Sequence, residues 1–169
     1  MALVIETGSV VAGANSYVTR TEFITYAAGL GVTILNTDPA DVMLIDAAEF
    51  IASHEDRLIG SKVSRAQEMA FPRSGVVIEG FAWDSDEIPR HVLLAQMALA
   101  LEVNDGVDLY NPPTNPNRAT KREKVEGAVE VEYFGIDAAA KLSRSSRAQA
   151  LLASLLRRSG LGAVNVDRG

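Results

Sequence analysis

The sequence predicts a mostly α-helical fold: a small helical bundle around one central apolar helix, with a minor β-hairpin or edge strand and extended terminal arms. Three observations carry this. The run from Ile88 to Gly106, IPRHVLLAQMALALEVNDG, is apolar on nearly all sides between a first-turn proline and a terminating glycine, so other elements must cover it. Capped helical periodicities before and after it supply those covers. Strand-like alternation is confined to short stretches.

In chain order, residues 1–16 mix short apolar runs with Gly8, Gly13, Asn15 and Ser16 and lack helical spacing, which predicts an N-terminal arm. Thr19 with Glu22 three residues on is a capping box, and Phe23, Tyr26, Ala27 and Leu30 follow at helical spacing until Gly29 and Gly31 stop them. Asp38 and Pro39 offer an N-cap and a first-turn proline to a second helix. Its Val42, Ile45, Ala48, Phe50 and Ile51 form one stripe, and it is expected to reach about Leu58. Gly60 permits a break, Ser64 opens a short helix through SRAQEMAF, and Pro72 ends it. In VVIEGFAWDSDEIP two apolar runs flank Glu79 and Gly80, which fits a small hairpin or a wide loop. Trp83, the single tryptophan, either caps the core or serves a contact surface.

The central helix carries seven large apolar side chains, whose burial at roughly 2 kcal/mol each sets an upper bound of about 14 kcal/mol. At about 17 residues, interrupted by Arg90, His91, Gln96 and Glu102, it is short for a bilayer span, and no membrane partner is expected. VDLYNPPTNPNRAT holds three of the six prolines and reads as a surface loop. KREKVEGAVEVEYF alternates Val125, Val129 and Val131 with Glu126, Glu130 and Glu132, the pattern of an exposed edge strand with a basic start. SRAQALLASLLRRSG predicts a last helix, capped by Ser145 or Ser146 and stopped by Gly160. Leu151, Leu152, Leu155 and Leu156 form its apolar stripe, with Arg157 and Arg158 at its negative end. The expected organisation is an arm (1–16), a helical core (17–135) and a C-terminal linker, helix and tail (136–169).

A chain of 169 residues is one domain's worth of sequence. The absence of cysteine removes disulfides, thiolate zinc sites and cysteine nucleophiles together. The opening MALVIETGSVV lacks the basic region and long apolar core of a secretory signal, so synthesis in a cytoplasm is expected. Net charge is −6, which argues against a free-standing nucleic-acid binder. The charge is uneven: residues 1–117 carry six basic and sixteen acidic side chains, −10, whereas residues 118–169 carry ten and six, +4. Either a basic tail is solvated on an acidic body, or the two ends meet different partners, a neighbouring copy among them.

Catalytic constellations are not legible. Only His54 and His91 offer imidazole bases, and both read as structural or surface residues. Gly29-Leu30-Gly31 reads as a helix end, and HEDR lacks a second histidine one turn on. Asp84, Asp86 and Glu87 sit where carboxylates offset a helix dipole, with divalent-ion binding the lesser alternative. No enzyme activity, cofactor or metal is expected. Arg144, Arg147, Arg157 and Arg158, with Lys121, Arg122 and Lys124, are the candidate partner-binding residues, suited to nucleic acid or an acidic protein face unless they are ordinary solvated charges. No aromatic residues interleave with them to stack bases.

Several segments together resemble a known family. SYVTRTEFITYAAGLG from Ser16, LIDAAEFI from Leu44, AQEMAFPRSG from Ala66, IPRHVLLAQMALALEVNDGVDL from Ile88 and KVEGAVEVEYF from Lys124 resemble, in this order, the adaptor proteins of the head-to-tail connector in long-tailed bacteriophages. Such sequences also carry the label of DnaT-like single-stranded DNA-binding proteins. The similarity covers roughly residues 15–135, and the Q-x-x-x-x-P-R-x-G pattern from Gln67 to Gly75 is its most specific part. The resemblance implies a helical subunit of a homo-oligomeric, twelve-fold ring that docks on the portal protein through a C-terminal segment. It also implies a tail-side connector or tail terminator as second partner, DNA passing through the channel without sequence-specific binding, and a place in the virion neck. The alternative is a single-stranded DNA-binding replication accessory. A ring subunit needs two different faces, and opposite charges at the two ends would help copies find register.

Overall fold

Thr19 opens the first helix by the chemistry its spacing requires. Its hydroxyl accepts from the Glu22 N–H at 3.2 Å while the Glu22 carboxylate accepts from the Thr19 N–H at 2.7 Å, satisfying two donors that a helix start otherwise orphans. A computed structural model describes residues 2–110, 120–125, 129–133 and 146–157. Among these the chain forms four helices: α1 (Arg20–Gly29), α2 (Asp38–Ala52), α3 (Arg90–Asn104) and α4 (Ser146–Ala153). Three two-stranded antiparallel ladders accompany them: β1 (Ser61–Lys62) with β2 (Arg73–Ser74), β3 (Val77–Ile78) with β4 (Phe81–Ala82), and β5 (Thr120–Val125) with β6 (Val129–Tyr133). The fold is mostly α with minor strands.

The central helix is α3. It starts after Pro89, ends before Gly106 at φ +80°, and buries Val92, Ala95, Gln96, Met97, Ala98, Leu99 and Ala100. The helices α1, α2 and α4 pack on it, contributing Phe23 and Ala27, then Leu44, Ala47, Ala48 and Ile51, then Ala148 and Leu152 to one continuous core. Trp83 is half-buried against the same core. Residues 2–16 are not an extended arm but a loop folded back on itself and laid against this body: Ile5 bridges Ser16 in parallel, the Glu6 N–H donates to Ser16 O at 2.8 Å, and the buried Glu6 carboxylate accepts from the N–H groups of Gly8, Val10 and Val11.

Four local expectations are corrected. The second helix is N-capped by Thr37, not Asp38, and stops at Ala52 rather than near Leu58. Ser53 Oγ donates to Phe50 O at 2.7 Å and His54 Nδ1 lies 2.9 Å from the same oxygen. The His54 N–H turns instead to Ile51 O, which tightens the chain into the 3₁₀ turn Glu55–Arg57. Residues 64–71 form turns instead of a helix, because the Gln67 side chain captures the backbone of Val63, Met69 and Pro72. The charged alternation near the C-terminus is two strands, not one: Val125 lies opposite Val129 and Glu123 opposite Val131, with an irregularity between Thr120 and Glu123. Finally α4 ends at Ala153, so that residues 155–157 can pair with 57–59: Ile59 N–H donates to Leu155 O at 2.8 Å and Arg157 N–H to Arg57 O at 2.7 Å. The proline-rich loop expectation falls on 111–119 and the linker and tail expectations largely on 134–145 and 158–169, which lie outside the described residues.

The turn between β3 and β4 is the tight alternative of the two. Glu79 at φ +53° and Gly80 at φ +86° give the two left-handed residues that a two-residue hairpin turn matching strand twist requires. The Trp83 N–H donates to Val76 O at 2.9 Å and closes the hairpin base.

Candidate functional site

The Gln67–Gly75 pattern builds a scaffold. Gln67 is buried; its Oε1 accepts from the Val63 N–H at 3.2 Å, and its Nε2 donates to Met69 O and Pro72 O, each at 2.9 Å. Arg73 is also buried, and its guanidinium gathers the carbonyls of Ile59 (2.8 Å), Ala70 (3.2 Å) and Gly60 (3.0 Å). Burial lowers its pKa, against the opposing pull of the Glu55 charge. Tyr17 accepts the Phe71 N–H on its hydroxyl at 3.0 Å, and burial pushes its phenol well above the usual range. Gly60, at φ +71°, lies so close to Ser74 that a Cβ would stand 2.5 Å from its carbonyl oxygen. These groups face inward onto backbone and tie the long loop between α2 and α3 to the body.

What the scaffold presents outward is the β3–β4 hairpin. Val76 and Ile78 root it in the core, while Val77 is 55% and Phe81 75% exposed. Exposed Glu79, Asp84, Asp86 and Glu87 surround Phe81 in sequence, and no cation lies between Arg73 and Arg90. A second apolar feature is a groove of about 230 Å³ lined by Ile24, Ala28, Gly31, Val32, Thr33 and Ile34. Leu30 and Leu35, neighbouring it in sequence, are exposed. The helix under the groove is fixed to α2 by a forked ion pair, Arg20 Nε and Nη2 to the two Asp41 oxygens at 2.7 and 2.5 Å, and these bonds hold the Asp41 carboxyl below its usual range.

The basic candidates are dispersed. Arg147 is exposed on α4, and its Nη1 lies 3.5 Å from the Tyr26 hydroxyl of α1. Arg157 donates Nε to Leu58 O at 2.9 Å and Nη2 to Gly60 O at 3.2 Å, so it shares a carbonyl with Arg73. Lys121, Arg122 and Lys124 stand on β5, and Arg144 and Arg158 lie outside the described residues. Of the remaining titratable groups, His54 stacks against Phe50 at 4.7 Å between ring centroids, and His91 is half-buried in the first turn of α3. Among the described residues no group of three His, Cys, Asp or Glu is placed to hold a metal ion, and no helix is long and apolar enough to cross a membrane.

Sequence reasoning did not single out Phe81 or the groove residues. A strand of two residues carries no periodicity that tells which side chain faces out. The groove arises because Ala28 and Gly31 are small, for which no motif exists. No curated protein and no solved structure matches the chain. A family model matches residues 1–169, and the chain therefore belongs to the family described as "Putative DnaT-like ssDNA binding protein".

Proposed function

We propose that this chain is a passive structural subunit: an adaptor that forms a homo-oligomeric ring in the neck of a long-tailed phage, between portal protein and tail-side connector, and continues the DNA channel. It works without catalysis, cofactor or metal, and its place is the virion. The observation that carries this reading is a pair of unlike apolar features on one acidic body, the Val77–Phe81 hairpin tip and the groove on α1. An exposed aromatic ring and an open apolar groove are both suited to contact, and two unlike features on one chain suit a head-to-tail contact between copies. The charge split between residues 1–117 and 118–169 supports it, and so does the order of the segments that resemble connector adaptors. An acidic channel wall lets DNA slide past without adhering.

A second reading, a single-stranded DNA-binding accessory, is favoured by the family's description. Mass photometry and negative-stain microscopy of the purified chain, alone and with its portal, combined with anisotropy of a labelled oligonucleotide at two salt concentrations, separate the two. Rings with no oligonucleotide binding are expected. Micromolar, salt-dependent binding by a monomer would replace the adaptor with the DNA-binding reading.

A further inference from the structure

We infer that residues 2–6 are exchanged between copies when the chain assembles: the segment leaves its own Asn15 and Ser16 and pairs in the same way with those of the next copy, with residues 7–13 as the hinge. The inference rests on the assembly reading above and gives it a specific contact.

The receiving surface is already built, and what covers it is known, because each chain covers it with its own segment. The Val4 N–H donates to Asn15 Oδ1 at 2.8 Å, Val4 O accepts from the Asn15 N–H at 2.9 Å, and the Glu6 N–H donates to Ser16 O at 2.8 Å. Leu3 packs against the core. All of these contacts lie outside the hinge, so the identical segment of a second copy can make every one of them again. Such exchange is a low-cost route to association, since the pairing itself is neither gained nor lost.

The hinge decides the balance, and it is wound tightly. Gly8, Val10 and Gly13 have φ of +105°, +59° and +74°. Glycine takes such angles freely, whereas a β-branched side chain is strained there. What holds Val10 is Glu6. Its buried carboxylate accepts from the N–H groups of Gly8 at 2.9 Å, Val10 at 3.1 Å and Val11 at 2.9 Å, three bonds that exist only while the loop is closed. The closed loop is also wedged against the stretch before α3, where a Cβ on Gly8 would stand 1.8 Å from Asp86 O. A short hinge under strain favours exchange over closure. Straightened, residues 7–13 span about 23 Å, enough to cross the seam between touching copies. Straightening relaxes Val10 and gives up the Glu6 bonds, so the carboxylate keeps a lone chain closed and the strain at Val10 works to open it.

The chain has no cysteine, so introduced thiols report cleanly. Ile5 and Ser16 are bridge partners, and the strand spacing of about 4.8 Å suits a disulfide. Full-length I5C/S16C oxidised as a monomer is locked closed; it should form no rings until reductant is added, and then assemble like wild type. The single variants I5C and S16C, mixed, assembled and oxidised, should give a covalent heterodimer under denaturing conditions, which only a segment seated in a second copy can produce. V10G relieves the strain without opening the loop and should raise the concentration of half-assembly about tenfold; E6A removes the three bonds and should lower it by about the same factor, with circular dichroism melts confirming that both fold. If wild type forms rings while oxidised I5C/S16C assembles as well as its reduced form and the mixed singles stay uncoupled, this inference falls and the adaptor reading stands. If E6A only opens residues 2–16 to protease and no heterodimer forms, the segment detaches without exchange and the inference falls. If wild type never self-associates, alone or on the portal, both fall.

Discussion

Gln96 is the sharpest test of how the body is held together. It is fully buried in an otherwise apolar stretch of α3, and all three of its bonds leave the helix. Its Oε1 accepts the Tyr17 N–H at 2.9 Å; its Nε2 donates to Ser16 Oγ and to Leu44 O, each at 2.8 Å. One amide therefore joins α3 to the N-terminal segment and to α2. Gln96→Met keeps the volume and removes the bonds. The Tyr17 N–H, on a residue 3% exposed, then has no acceptor, which costs about 1–3 kcal/mol. Leu44 O keeps its place in the α2 ladder, and Ser16 Oγ still donates to Val18 O at 2.7 Å and accepts from the Val18 N–H at 3.2 Å, so each loses one bond and keeps at least one, together roughly 1 kcal/mol. The expected loss is about 2–4 kcal/mol, or roughly 6–12 °C in Tm for a chain of this size. Urea unfolding followed by the fluorescence of Trp83, with a thermal melt by circular dichroism, reads it. A Gln96→Met protein within about 0.5 kcal/mol of wild type would show that the amide is dispensable and that apolar packing alone sets the register of α3.

Other perturbations separate the remaining ties. Arg73→Lys keeps the charge but replaces a planar fork bonded to four carbonyls with a single ammonium; a loss of about 2–4 kcal/mol is expected in the same urea titration, and an unchanged midpoint would refute the role given to the fork. Gly8→Ala would set a Cβ 1.8 Å from Asp86 O at φ +105°, so the N-terminal segment should detach; limited proteolysis should then cut within residues 2–16 much faster than in wild type, and equal rates would mean that the segment adapts in place. The Asp41 carboxyl is held below its unfolded value of 3.8, chiefly by the Arg20 hydrogen bonds. Its contribution is therefore present above that value and lost as pH falls through the lower, folded one. Asp41→Asn should be less stable than wild type at neutral pH, and the gap should narrow as acid protonates Asp41; a gap that stays constant as pH is lowered would refute the assignment.

Legibility in the sequence followed the range of the interactions. The capping box at Thr19 and the Pro89 and Gly106 boundaries of α3 are decided within four residues and were readable, Pro89 falling one place earlier, at the N-cap, and the Glu79-Gly80 turn was readable as one of two alternatives. The helix expected from Ser64 has suitable spacing but loses to bonds outside its own stretch: the Phe71 N–H goes to Tyr17, and Gln67 reaches Pro72. α4 stops early because its exit pairs with residues about a hundred positions earlier, information no local window holds. The outward surface was harder still. Ile78 and Phe81 are cross-strand partners of like character, and one is 5% and the other 75% exposed; what distinguishes them is the position of the core beneath the hairpin. Arg157 was legible as a charge, but its bonds to Leu58 O and Gly60 O were not, because they belong to the pairing that ends α4.

The placement of cations bears on both functional readings. Of six basic side chains in residues 1–117, Arg73 is buried, Arg20 is forked onto Asp41, and Lys62 Nζ pairs with Glu55 at 2.7 Å. Sixteen carboxylates share that stretch. Strand binding gains its affinity from counterions released as phosphates meet cations, about 0.9 in the salt slope for each contact on duplex and 0.7 on single strands. The body is a poor source of such contacts, so affinity for a strand would have to come from residues 118–169, where Lys121, Arg122, Lys124 and the arginines of the C-terminal region lie. The exposed hairpin tip at Phe81 and the groove beside α1 fall outside that segment. The two readings therefore draw on different parts of the chain: charge reversal on β5 acts on strand affinity and leaves the exposed hairpin tip as it is, whereas F81S removes the exposed ring and leaves those cations in place.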